Sequence, residues 1–174
     1  MALRLRQVRE VKLKLERLKK LPNVLDQELG EIAQEVQQTA RNMAPIQYGG
    51  LKQAIQVRRT AATQKGVKGF VKGKSSFQIY INPMTPAPGH KEGVVGGYAW
   101  LVHEHMGWAG MAASAAYEFM PSAKSVAAGN GEVVGGKFLD RAMLKHRGQI
   151  KAKLSRKARK FINHQDYMAN HVDK

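Results

Sequence analysis

A chain of 174 residues with no cysteine excludes a disulfide-stapled scaffold and a thiolate zinc site, and is long enough for one domain burying roughly 70% of its unfolded surface. No apolar run approaches the ~20 residues of a membrane span, and Met1-Ala2-Leu3-Arg4-Leu5-Arg6 lacks the apolar core of a secretory signal, so a soluble chain made in a reducing cytoplasm is expected. The balance of 29 Lys+Arg against 13 Asp+Glu, a net +16, favours a polyanion close by, since a free monomer gains nothing from such self-repulsion.

Residues 1–20 carry eight basic and two acidic groups. Val8, Val11, Leu15 and Leu18 fall at 3, 4, 3 spacing, one narrow stripe that predicts a helix too polar for a core. Alternation from Leu3 to Leu15 leaves a short strand as the alternative. Residues 1–22 are therefore expected to form a basic N-terminal arm. Pro22-Asn23 closes it, with Asn23 as helix N-cap and Asp26 and Glu28 near the positive end of the next helix. Leu25, Leu29, Ile32, Val36, Ala40 and Met43 then recur every three or four residues, an amphipathic helix stopped before Pro45.

Gly49-Gly50 permits a turn, and Ile55-Gln56-Val57-Arg58 alternates as a half-buried strand. Residues 46–75 carry seven bases and no acid. Within them Thr63–Ser76 is a Gly- and Lys-rich loop, a cationic finger bearing Lys65, Lys68, Lys72 and Lys74, before Phe77, Ile79 and Ile81 alternate as a second strand. The two strands suggest an antiparallel hairpin. Pro83, Pro86 and Pro88 end it, and the apolar run Tyr98–Val102 is expected to pack on the central helix. Residues 106–136 are rich in Gly, Ala and Met without periodicity, and are expected to form a long loop ordered by neighbouring subunits.

The last element opens after Gly135-Gly136, with Phe138, Ala142, Ile150, Leu154, Ala158 and Phe161 on one helical face. Residues 137–174 carry eleven bases and three acids, and Arg141, Lys145, Lys151, Arg156, Lys157, Arg159 and Lys160 are candidates for a phosphate-facing surface.

Little catalytic chemistry is visible. His103-Glu104-His105 invites a metal, but the helical zinc pattern needs a second His four residues after the first, and position 107 is Gly. Packing and hydrogen bonding are the expected roles. The stretch ending Gly73-Lys74-Ser75 has Lys68 where a phosphate-binding loop needs glycine, and a strand rather than a helix follows. With no nucleophile elbow and only scattered acids, no catalytic residue, cofactor or metal is assigned, and a non-enzyme is expected.

Ala44-Pro45-Ile46-Gln47-Tyr48-Gly49-Gly50-Leu51-Lys52-Gln53-Ala54-Ile55 resembles the stretch that follows a long helix in neck, head–tail connector and tail-completion proteins of long-tailed bacteriophages. Tyr98-Ala99-x-x-Val102-His103-Glu104 and Phe138-Leu139-x-x-Ala142 resemble two further family motifs in the same order. The carried residues are Ala44, Pro45, Gly49, Leu51, Ile55, Tyr98, Ala99, Val102, Glu104, Phe138, Leu139 and Ala142, as fold residues. Tyr48 and Ala54 depart from the family's Thr and Ser, and 106–136 is longer than typical.

The resemblance implies a structural virion protein, assembled in the host cytoplasm, that forms a homo-oligomeric ring at the neck. Its partners would be connector and tail-terminator or tail-tube proteins, with double-stranded DNA held non-specifically in the lumen, and no membrane. Lys65, Lys68, Lys72, Lys74, Arg156, Lys157, Arg159 and Lys160 would face DNA or a neighbouring ring. The alternative is a non-viral nucleic-acid-binding protein. The expected fold is α+β, two long helices packed on a small antiparallel sheet, one domain over 23–164 and a C-terminal tail over 165–174.

Overall fold

The computed structural model describes residues 15–16, 18–46, 50–62, 74–87, 89, 93–109 and 120–171. They form a mixed helix-and-sheet chain with one two-stranded antiparallel sheet. It divides into two compact units, Ile32–Arg147 and the pair Met1–Glu31 with Gly148–Lys174. These limits do not coincide with the expected arm, domain and tail boundaries at 22 and 164.

The periodic stripe winds into α1, Leu21–Met43. Ile32, Val36, Ala40 and Met43 are buried, while Leu25 and Leu29 are half-buried. The helix starts two residues before the expected cap. Pro22 sits in its first turn, where a missing N–H costs no intrahelical bond, and Asn23 is helical rather than capping. Beyond Met43, Ala44 N–H still reaches Ala40 O at 2.9 Å, and the turn ends at buried Pro45.

A four-residue helix α2, Leu51–Ala54, leads into strands β1, Ile55–Ala62, and β2, Lys74–Ile81. Register Ile55↔Ile81, Val57↔Ile79 and Arg59↔Phe77 puts the alternating apolar residues on one face. The opposite face is polar and paired directly across the strands. Tyr80 Oη donates to Gln56 Oε1 at 3.0 Å, Arg58 Nε donates to Gln78 Oε1 at 2.9 Å, and the Thr60 and Ser76 hydroxyls meet at 2.7 Å. Arg58 also lies 5.1 Å from the Tyr80 ring centroid. These polar pairs extend the hairpin beyond the apolar residues, so Ala61-Ala62 and Lys74-Ser75, expected in the loop or its flank, belong to strands.

After a 3₁₀ turn, Val95–Gly97, the run expected to be wholly apolar cover forms helix α3, Ala99–His105. A helix turns 100° per residue, so the run is shared between faces. Tyr98, Ala99 and Val102 are buried, whereas Trp100 is 67% exposed and Leu101 is also exposed.

The segment 106–136 requires correction. Its middle, 110–119, lies outside the described residues, but both ends are fixed. Met106 and Val134 are buried, Trp108 and Gly135 form a bridge, and Ala123–Ala127 form helix α4 with Ser122 as N-cap. Residues 129–132 make a tight turn with Glu132 N–H on Gly129 O at 2.9 Å, and Asn130 and Gly131 both have positive φ. That is the conformation Asn-Gly favours.

Helix α5 then runs from Phe138 to His171, so the expected tail is helical as far as His171. Phe138 and Ala142 are buried, while Ile150, Leu154, Ala158 and Phe161 are half-buried.

Candidate assembly surfaces

The three motif stretches bring their residues into the core of Ile32–Arg147. Ala44, Ile55, Phe138 and Ala142 are fully buried, and Pro45, Leu51, Tyr98, Ala99 and Val102 nearly so. Leu139 is half-buried, and Gly49 lies outside the described residues. The described ends of the Ala44–Ile55 stretch, 44–46 and 50–55, are both tied down. The Ile55 carbonyl accepts from Gln37 Nε2 at 2.7 Å and from the Arg41 guanidinium at 2.9 Å, joining α1 to the start of β1. Ile46 N–H donates to the buried Ser125 hydroxyl at 3.0 Å. A Cβ on Gly50 would lie 2.3 Å from the Pro86 carbonyl oxygen, so the close approach of these backbones requires glycine.

The second and third motifs meet at the start of α5. Lys137 N–H donates to His103 O at 2.7 Å, Gly136 N–H to Gly107 O, and Gly135 N–H to Met43 O at 2.9 Å. One short stretch thus satisfies the last carbonyls of α1 and α3. A Cβ on Gly136 would lie 2.0 Å from Met106 O. The side chains of His103, Glu104 and Lys137 form a chain of contacts. His103 Nδ1 is 2.8 Å from Glu104 Oε1, and Glu104 Oε2 accepts from Lys137 Nζ. The ammonium of Lys137 and then the imidazole of His103 hold the Glu104 carboxyl below the usual carboxylate range. His103 packs edge-on against Phe138 with centroids 4.9 Å apart. Glu104 thus serves the junction between α3 and α5. Among the described residues, no group of three His, Cys, Asp or Glu side chains could hold a metal ion.

The candidate basic residues divide into engaged and exposed sets. Lys65, Lys68 and Lys72 lie outside the described residues, and Lys74 opens β2. Lys157 Nζ lies 3.0 Å from Glu28 Oε2, which raises the Lys157 ammonium above its ordinary value. Lys145 pairs with Glu132. Arg141 is partly buried, with its guanidinium 5.5 Å from the Trp108 ring centroid; burial lowers its pKa, against a smaller opposing pull from Glu132. Lys151, Arg156, Arg159 and Lys160 are exposed on α5. Of the expected phosphate-facing surface, these four present their charge to solvent. Lys145 and Lys157 share theirs with a carboxylate, and Arg141 is partly withdrawn from water.

Several features escaped the sequence reading. Ser125, a buried residue of α4 whose hydroxyl accepts from Ile46 N–H, has no signal beyond the Ser122-x-x-Ser125 capping spacing. Lys52 Nζ caps the end of α4 through Ala128 O at 2.9 Å, and burial lowers its pKa. The Asn130-Gly131 turn had a readable signal in its dipeptide. Among the described residues, no helix is long and apolar enough to cross a membrane. Comparison with protein-family models, curated proteins and solved structures finds no match to this chain.

Proposed function

We propose that this chain is a non-enzymatic structural subunit of the head–tail junction of a long-tailed bacteriophage, a neck or tail-completion protein. Copies form a ring that joins the capsid connector to tail-terminator or tail-tube proteins, with double-stranded DNA passing through the lumen. The observation that carries this reading is the convergence of the three family-like motifs, separated by about forty residues each, on one core. Residues that are buried together are what a shared fold would require, and this supports the reading.

The finer architecture that goes with this reading is two long helices packed on the β1–β2 ribbon, with the basic arm and Lys65, Lys68, Lys72 and Lys74 serving neighbouring rings or DNA. Exposed Lys151, Arg156, Arg159 and Lys160 would offset phosphate charge without reading bases. No cofactor is required, and the protein would reside in the virion after assembly in the host cytoplasm.

Electron microscopy and light scattering of the purified full chain test the reading. Closed rings with a central channel are the expected result. The same basic residues favour one rival, a non-viral nucleic-acid-binding protein. A chain that stays monomeric and binds duplex DNA or RNA tightly, with a log-log salt slope of ~0.9 per phosphate contacted, would replace the ring reading with that rival.

A further inference from the structure

Every fully buried apolar residue of the described chain lies between Ile32 and Ala142. The unit formed by the start of α1 and the distal part of α5 has none among its described residues. Leu25 and Leu29 on α1, and Leu154 and Phe161 on α5, are only half-buried. Leu15 and Leu18, just before α1, are 57% and 42% exposed. A helix with a leucine stripe must bury it against another element, and two helices alone leave part of each stripe wet.

The charges of the same unit are sorted by helix. Residues 21–31 contain Asp26, Glu28 and Glu31 and no base; residues 148–164 contain six bases and no acid. Within one chain Lys157 meets Glu28. Glu31 on one helix and Arg156, Arg159 and Lys160 on the other remain exposed.

We propose that this helix pair carries both halves of a head-to-tail interface whose occupant is a second copy of the chain, with the acidic stretch 21–31 of one copy lying along the basic stretch 148–164 of the next. The inference rests on the ring reading insofar as copies must associate, and it names the surface through which they do so. Neighbouring copies on either side meet three demands together: apolar cover for the leucines, base for the acidic helix and acid for the basic one. Residues 1–14, with five bases and one acid, would suit α1 but be repelled by α5. A nucleic acid would suit α5, be repelled by α1 and leave the leucines uncovered. Complementary charge on the two faces also fixes the register between copies and disfavours like-on-like pairing.

Sedimentation equilibrium of the full chain with charge-reversed variants provides the test. Glu31→Lys alone, and Arg156→Glu with Lys160→Glu alone, are each expected to weaken self-association on the order of tenfold. An equimolar mixture of the two variants is expected to regain association. Both tryptophans, Trp100 and Trp108, lie in Ile32–Arg147, so their near-UV signal reports whether that unit stays folded. Should reversal perturb it, Glu31→Gln and Arg156→Gln with Lys160→Gln repeat the test with neutral side chains. If the wild-type chain forms rings and the variants form them equally well, this interface is wrong and the ring reading stands. Loss of association on deleting residues 1–14, with the charge variants unaffected, assigns the surface to the chain's own arm. Association abolished by nuclease assigns it to nucleic acid. A wild-type chain that is monomeric at every concentration overturns both proposals.

Discussion

The same two helices behave differently in the two units. Within Ile32–Arg147, α1 contributes Ile32, Val36, Ala40 and Met43 to a closed core, and α5 contributes Phe138 and Ala142. In the other unit the same helices continue their stripes through Leu25, Leu29, Leu154 and Phe161, none of which is fully buried. The difference lies in what the chain supplies as cover. The α3 helix and the 134–137 strap accompany the first half, whereas among the described residues the second half has the two helices as its main elements. Periodicity specifies which face seeks burial, whereas connectivity decides whether a partner is present.

Truncating one phenylalanine in each unit should expose this contrast most strongly. Phe138→Ala removes a fully buried ring and is expected to destabilise Ile32–Arg147 by about 3–5 kcal/mol. Phe161→Ala removes a half-buried ring and is expected to cost only about 1 kcal/mol in the monomer. Urea denaturation followed by far-UV circular dichroism measures both. Equal losses would mean that Phe161 is as well covered as Phe138 and that the contrast between the units is false.

Glycine substitutions sharpen the same comparison with opposite signs. At Gly136 an added methyl meets the Met106 carbonyl oxygen at 2.0 Å and the His103 carbonyl oxygen at 3.1 Å. Gly136→Ala must therefore move backbone that is itself hydrogen-bonded, and a loss of about 2–3 kcal/mol is expected. Gly148, inside α5, has nothing within 4 Å of the position its Cβ would take. Gly148→Ala should stabilise by about 0.5–1 kcal/mol, because alanine lowers the entropy of the unfolded chain and suits a helix. Thermal melts of the two variants should shift in opposite directions; a destabilising Gly148→Ala would show that this part of α5 is more closely covered than its exposure implies.

What the sequence made legible follows from how local each determinant is. The α1 stripe and the alternation in Ile55–Arg58 and Phe77–Ile81 are short-range patterns, and both are found in their expected elements. The start of α1 was misread because Pro22 is tolerated inside a first turn as well as before one. The helix at 99–105 was hidden because Tyr98-Ala99-Trp100-Leu101-Val102 has no polar residue to reveal its period. The order within 106–136 comes from backbone contacts such as Gly135 N–H to Met43 O and Lys137 N–H to His103 O, which carry no side-chain signature. Among the candidate contact residues, the pairing of Lys157 with Glu28 joins positions far apart in sequence, so nothing local to Lys157 distinguishes it from Arg156 or Lys160.

The smallest effect expected concerns one ion pair in each unit, whose shifted groups titrate at opposite ends of the pH scale. In Ile32–Arg147 the Glu104 carboxyl is depressed by Lys137 and His103. A depressed carboxyl contributes stability that is present above its unfolded value, about 4.3, and is lost as pH falls through the lower folded value. In the other unit the Lys157 ammonium is raised by Glu28. A raised ammonium contributes stability that is present below its unfolded value, about 10.4, and is lost as pH rises through the higher folded one. Glu104→Gln should therefore flatten the acid limb of the stability profile, and Lys157→Met the alkaline limb. Both side chains are partly solvent-exposed, so each effect is small and shrinks further with added salt. Stability measured against pH for the two variants separates the limbs. If Glu104→Gln left the acid limb unchanged, or Lys157→Met the alkaline one, the assignment of each limb to its shifted group would fail.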